Sequence, residues 1–124
     1  MPNPAPGFRK VPRSHIVTQA AGRRVRVTLN GELLADSREA LEMREGDYAP
    51  VYYLPRQDVR MARLERSAHA THCPFKGDAA HYSIVGGPRD VAWSYERPYD
   101  EMVEIRDLIA FYPKRVDAIA VSND

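Results

Sequence analysis

The stretch THCPFKG, Thr71 to Gly77, gathers the only cysteine of the chain, a histidine, a proline and one of just three lysines. A cysteine before proline disfavours helix, and Lys76-Gly77 signals a turn. Such a turn exposes backbone N–H groups that, together with Lys76, could hold an anionic or carbonyl group. His72 and Lys76 could also lower the Cys73 thiol pKa and make it a nucleophile. The plainer alternative is a structural loop around an inert cysteine. His69, His72, Cys73 and His81 lie within thirteen residues, but their spacing is not that of paired zinc ligands. No metal site is expected, and these histidines read as exposed loop residues.

Three further clusters could contribute. In YYLPRQD, Arg56 could fork onto a carboxylate or phosphate, or form a surface ion pair with Asp58. In WSYERP, Trp93 and Tyr95 sit at i and i+2, on one face of a strand, as core or as a ligand wall. ADSREA reads as a turn with side-chain-to-backbone bonds. Phosphate-loop, dinucleotide, nucleophile-elbow and zincin signatures are absent.

Short strands must position these residues. Val25–Leu29 alternates apolar and polar, and Asn30-Gly31 then predicts a type I′ hairpin into ELLADS. Ala40–Glu45, Val51–Leu54, Val59–Glu65, DAAHYSIV, Val91–Glu96, Leu108–Tyr112 and Val116–Val121 read as further strands. PRQDV predicts one helical turn. PYDEMVEIRDL is the single short-helix candidate, with Asp100 and Glu101 where a helix N-terminus favours acids. The pattern predicts an all-β domain of two packed antiparallel sheets with one short helix.

At 124 residues, one domain is expected: a Pro-rich basic arm over residues 1–14, irregular and extended, and a β domain over 15–124. Residues 1–31 carry six bases and no acid, while the other 93 carry twelve bases against seventeen acids. Six scattered bases form no dense cluster, so nucleic acid is not an expected partner. There is no run of about 18 apolar residues to cross a membrane and no signal-peptide pattern. One cysteine suits a reducing compartment, and a cytoplasmic location is expected. The oligomeric state stays open between monomer and homodimer, and no cofactor is indicated.

Taken together, ADS (Ala35 to Ser37), PVYYLPRQDV (Pro50 to Val59), T-x-C-P-x-K-G, W-S-Y-x-x-P (Trp93 to Pro98) and AFYP (Ala110 to Pro113) resemble the family called domain of unknown function 427, also labelled nucleotidyltransferase-like. The resemblance covers roughly residues 24 to 121. It implies an all-β fold similar to the Mss4-like, or β-tent, architecture. Zinc-pinned relatives of that architecture use four cysteines; with one here, zinc is not carried over. The family's motif residues correspond to Tyr53, Arg56, Asp58, Thr71, Cys73, Lys76, Trp93 and Tyr95.

The leading expectation is a domain that binds a small polar or anionic molecule around the TxCPxKG loop. Tyr53, Arg56, Thr71, Cys73, Lys76, Trp93 and Tyr95 would then line one hollow. The alternatives are a transferase-type enzyme using Cys73, Lys76 and Asp58, or a structural or interaction module.

Overall fold

The computed structural model describes residues 1–124. Ten antiparallel strands form three sheets. In chain order the strands are β1 (Ile16–Ala20), β2 (Arg24–Leu29), β3 (Glu32–Ser37), β4 (Leu41–Glu45), β5 (Val51–Tyr53), β6 (Leu64–Cys73), β7 (Gly77–Ile84), β8 (Ala92–Tyr95), β9 (Ala110–Phe111) and β10 (Ala118–Ser122). One sheet has the order β1-β4-β5, a second β10-β2-β3, and a four-stranded sheet runs β6-β7-β8-β9. The fold is all-β, as the alternation implies, with three sheets where two were expected. A left-handed Gly22, φ 68°, lies between β1 and β2, and these two consecutive strands enter different sheets.

The β2–β3 hairpin turns at Asn30-Gly31, both with positive φ (52° and 77°), as a type I′ turn demands. The Val59–Glu65 stretch is not a strand: a 3-10 turn occupies Met61–Arg63, and β6 starts at Leu64. The acidic helix candidate is likewise a 3-10 segment, Asp100–Ile105, broken at Met102. It buries Met102 and Ile105, so two apolar anchors rather than helical propensity hold it in place. No helix is long and apolar enough to cross a membrane.

The four-stranded sheet has a different apolar cluster on each face. Side chains in register share a face and alternate along each strand. Ala80, Tyr82, Ala92 and Phe111 join the larger cluster with Val25, Val27, Leu34 and Ala35 of β2 and β3. Ala79, Tyr95 and Ala110 join the smaller cluster with Ile16, Met43 and Tyr53 of β1, β4 and β5. Burying each Val, Leu, Ile, Met or Phe side chain among them contributes roughly 1.5–3 kcal/mol, and each alanine methyl about 0.8 kcal/mol.

The N-terminal residues are not extended. They form 3-10 turns at Pro6–Arg9 and Arg13–His15 and pack on the body. The Asn3 and Ala5 amides donate to the Asp100 and Glu101 carboxylates at 2.7 and 2.9 Å. The Gly7 amide donates to the Pro74 carbonyl at 3.0 Å, and Phe8 meets Phe75 edge to face at 5.0 Å. Proline density predicts an irregular chain only where no partner surface waits for it.

Candidate functional site

THCPFKG is the end of a hairpin. Thr71–Cys73 close β6, Pro74–Lys76 make the turn, and Gly77 opens β7. Gly77 has φ 115°, and a Cβ there would come within 3.3 Å of the Arg97 carbonyl oxygen, so only glycine fits. The Lys76 ammonium donates to the Glu45 carboxylate at 2.6 Å, and both side chains are largely covered. This pair ties the turn to the end of β4. Cys73 is half-buried against the smaller apolar cluster.

The sheet register separates the other predicted residues. Thr71 pairs with Ala79, and Ala79 with Tyr95, so these three share the second face of the sheet with Cys73, His81 and Trp93. Tyr53 of β5 meets this face, its ring edge-on to Trp93 at 6.2 Å. Tyr53 is 2% exposed and Tyr95 7%. Burial raises the pKa of both phenols far above the ordinary tyrosine range; the Trp93 indole opposes this at Tyr53, and the Tyr53 phenol adds to it at Tyr95.

Arg56 lies on the first face, away from Cys73 and Trp93. Its Nη2 donates to the Tyr82 hydroxyl at 3.3 Å, Ser94 Oγ at 3.1 Å and Glu96 Oε2 at 3.3 Å, and its Nε donates to the Asp107 carbonyl at 2.6 Å. Glu96 also accepts from Tyr82 at 2.6 Å and from Arg66 at 2.5 Å. Burial works to raise the Glu96 pKa, but Tyr82, Arg66 and Arg56 outweigh it and hold the carboxyl below its usual range. The guanidinium is thus spent on internal acceptors, and the expected Arg56–Asp58 pair does not form. Asp58 instead accepts from the buried Ser37 hydroxyl at 2.7 Å, fastening the turn after β5 to β3. In ADSREA, Asp36 is within β3 and takes a two-pronged Arg24 contact at 2.8 and 2.6 Å, while Ser37 Oγ accepts from the Glu39 amide. The seven expected site residues therefore divide between two faces of one sheet.

Beyond Trp93, the second face carries residues outside the expected ligand-binding set. Pairing shifts along β6 between Arg66↔Tyr82 and Ala70↔Ala80, so Ser67, Ala68 and His69 together stand opposite His81. Bulges re-aim side chains and recur beside active sites. Here the bulge brings the His69 and His81 rings to 4.5 Å. His81 shares a 2.8 Å hydrogen bond with the Tyr112 hydroxyl, and the Tyr112 ring lies 4.4 Å from Trp93. His69, His81, Tyr112, Trp93 and Tyr53 thus form a continuous run of rings across the sheet.

The predicted exposed loop histidines are all in strands, and His81 is 2% exposed. Its Nδ1 is buried and makes no hydrogen bond of good geometry, the Ala79 backbone offering only a weak one. Burial and the neighbouring His69 lower its pKa, against smaller opposing contributions from Asp90 and the Ala79 backbone. Asp90 closes the open end of the face: its carboxylate accepts from Ser67 at 2.6 Å, and its amide donates to Ser83 Oγ at 2.9 Å. The Ser67 hydroxyl, opposed by burial and helped by the nearby His69, His81 and Arg115, holds the Asp90 carboxyl below its usual range. A cleft of about 430 Å³ opens here, lined by Ser67, His69, Ser83, Arg89 and Asp90 among others. A second, of about 460 Å³, shares Arg66 to His69 and adds Glu96 and Arg97. Neither is lined by Cys73 or Lys76. The signals for this region were a histidine directly after Ala79-Ala80 in the β7 run and the lost alternation in LERSAHATHC.

No three or more His, Cys, Asp or Glu side chains are grouped to hold a metal ion. No curated protein matches the chain. Residues 17–122, which hold all eight motif residues named above and none of residues 1–14, match the family described as domain of unknown function DUF427, and the chain belongs to that family.

Proposed function

We propose that the chain binds a small polar or anionic molecule on the second face of its four-stranded sheet, from the cleft at His69 and Asp90 across His81 to Tyr112 and Trp93. His81 carries this reading. Buried polar atoms are ordinarily paired, and leaving one unpaired costs about 1–3 kcal/mol. An imidazole nitrogen without a well-formed hydrogen bond, beside a bulge and a cleft, has bonding capacity for a ligand. Trp93 and Tyr112 supply ring faces, Ser67 and Ser83 hydroxyls, and Arg89 a positive charge at the rim. Thr71 and Cys73 form the lower margin on this reading, Tyr53 and Tyr95 back the wall, and the Lys76–Glu45 pair is a fixed brace. Arg56 and Asp58 support the fold from elsewhere.

Trp93 is the only tryptophan, so its emission reports on this face alone. Nucleotides, sugars and carboxylates should be screened by melting temperature and Trp93 fluorescence together, because a ligand of the native state raises its stability. One class is expected to move both signals, and His81→Phe to abolish both responses while the protein stays folded. If no class moves both signals, or if His81→Phe binds as the parent does, the proposal fails.

A further inference from the structure

A second cluster of groups lies on the outer side of the β10-β2-β3 sheet, separated from the ring-lined face by the larger apolar cluster. Arg24 and Arg26 alternate along β2 and point the same way, because Val25 and Val27 between them are buried. Arg24 grips Asp36 with both prongs. Arg26 lies 3.4 Å from the Asp124 carboxylate, and the Arg38 guanidinium donates to the Asp124 carbonyl oxygen. Arg23, Arg24, Arg38, Asn123 and Asp124 line one cleft of about 160 Å³, with no hydrophobic residue in its lining. Arg26 and Arg38 both act on Asp36 in addition to Arg24, whose hydrogen bonds do most to hold that carboxyl low against burial, so three guanidinium groups surround one carboxylate, and Arg23 joins Arg24 and Arg38 in the cleft lining.

Asp36 alone is committed in this cluster, matched to Arg24. Arg26 and Arg38 are turned onto a residue near the chain end that is itself 71% exposed in its side chain. An exposed ion pair of this kind is worth at most about 1 kcal/mol, so a better anion can displace it. Guanidinium forks match planar carboxylates and phosphates. Ligand pockets for whole small molecules span about 300–1,000 Å³; this cleft has the size of one phosphate-like group.

We infer that Arg23 and Arg38 in the cleft, with Arg26 reaching Asp124 from outside its lining, form a binding site for a phosphate-bearing or polycarboxylate small anion, which Asp124 occupies from within the chain. This site is independent of the ring-lined face. An external anion exchanges with Asp124, so its affinity is set by the difference between two anions rather than by the arginines alone.

The test is calorimetric titration of the full chain at low salt with pyrophosphate, with citrate and with a short DNA duplex. Pyrophosphate is expected to bind saturably. Asp124→Asn should tighten it about two- to five-fold, the fold-change that removal of an exposed competing pair allows. Arg23→Ala/Arg38→Ala should weaken it at least about ten-fold with an unchanged melting temperature, and Arg38→Lys, which keeps charge but loses the fork, should weaken it by a smaller factor. Citrate binding as tightly as pyrophosphate identifies a carboxylate as the anion; weaker citrate identifies a phosphate. The inference is overturned if neither anion binds, if Asp124→Asn weakens binding, or if the double variant binds as the parent does. Duplex binding that falls steeply with salt and is not competed by pyrophosphate also overturns it, in favour of a nucleic-acid surface.

Discussion

The two faces of the four-stranded sheet use similar side chains to different ends. On the first face, Arg56, Tyr82, Ser94, Glu96 and Arg66 bond to one another. On the second, His81 and Tyr112 share one bond, and the other imidazole nitrogen makes no bond of good geometry. A closed network fastens a fold; an open one retains capacity for something outside it. The difference arises from what each face packs against. The Arg56 turn reaches over the first face and supplies a cation for Glu96, whereas the bulge in β6 holds the ladder apart on the side of His81.

Cutting the closed network should have the largest effect. Glu96→Ala removes the one carboxylate that Arg56, Arg66 and the Tyr82 hydroxyl all donate to. Removing one partner of a fully buried pair costs about 3–5 kcal/mol. With the Arg56 and Glu96 side chains 33% and 25% exposed, about 2 kcal/mol is expected, or about 8 °C in melting temperature for a chain of this size. Thermal unfolding by circular dichroism would measure it. A loss below about 2 °C would show that the first face is not the fastened one.

A smaller loss is expected on the second face. Tyr112→Phe removes the one bond that His81 makes, at a cost of about 1 kcal/mol, or about 4 °C. Should Tyr112→Phe cost as much as Glu96→Ala in the same unfolding assay, the contrast between the faces collapses.

The smallest effect is one of pH. The His81 pKa is lowered from 6.5, chiefly by burial, so the unfolded chain protonates there before the folded one does. His81 thus contributes stability that is full above about pH 6.5 and drains as the pH falls toward the lowered value. His81→Phe should lower the melting temperature at pH 8 by about 4 °C, as Tyr112→Phe does, since it breaks the same hydrogen bond. It should also flatten the decline between pH 7 and 5. An unchanged slope would mean that His81 does not titrate differently in the two states.

Much of the local structure was legible in the residues. Asn30-Gly31 gave a hairpin because both positions tolerate positive φ, and DAAHYSIV and VAWSYE read as strands by alternation and aromatic content. The turn at Lys76-Gly77 was equally readable. The candidate site was not. Thr71, Cys73, Trp93 and Tyr95 share a face, but Arg56, whose motif in the sequence suggests the same hollow, lies behind the sheet. His81 looked like one of several loop histidines, because burial of a polar residue leaves no mark in its own identity.

What the sequence determined alone was local: which segments extend, where they turn, and that apolar side chains alternate along them. Those properties follow from φ/ψ preference and side-chain period, which act over a few residues. Only the tertiary structure decided which face each strand presents to which neighbour, that Arg56 is satisfied by Glu96, that the N-terminal residues dock on Asp100 and Pro74, and that His81 stands opposite a bulge. The reason is that register and pairing depend on segments far apart along the chain, and a shift of one residue exchanges the two faces.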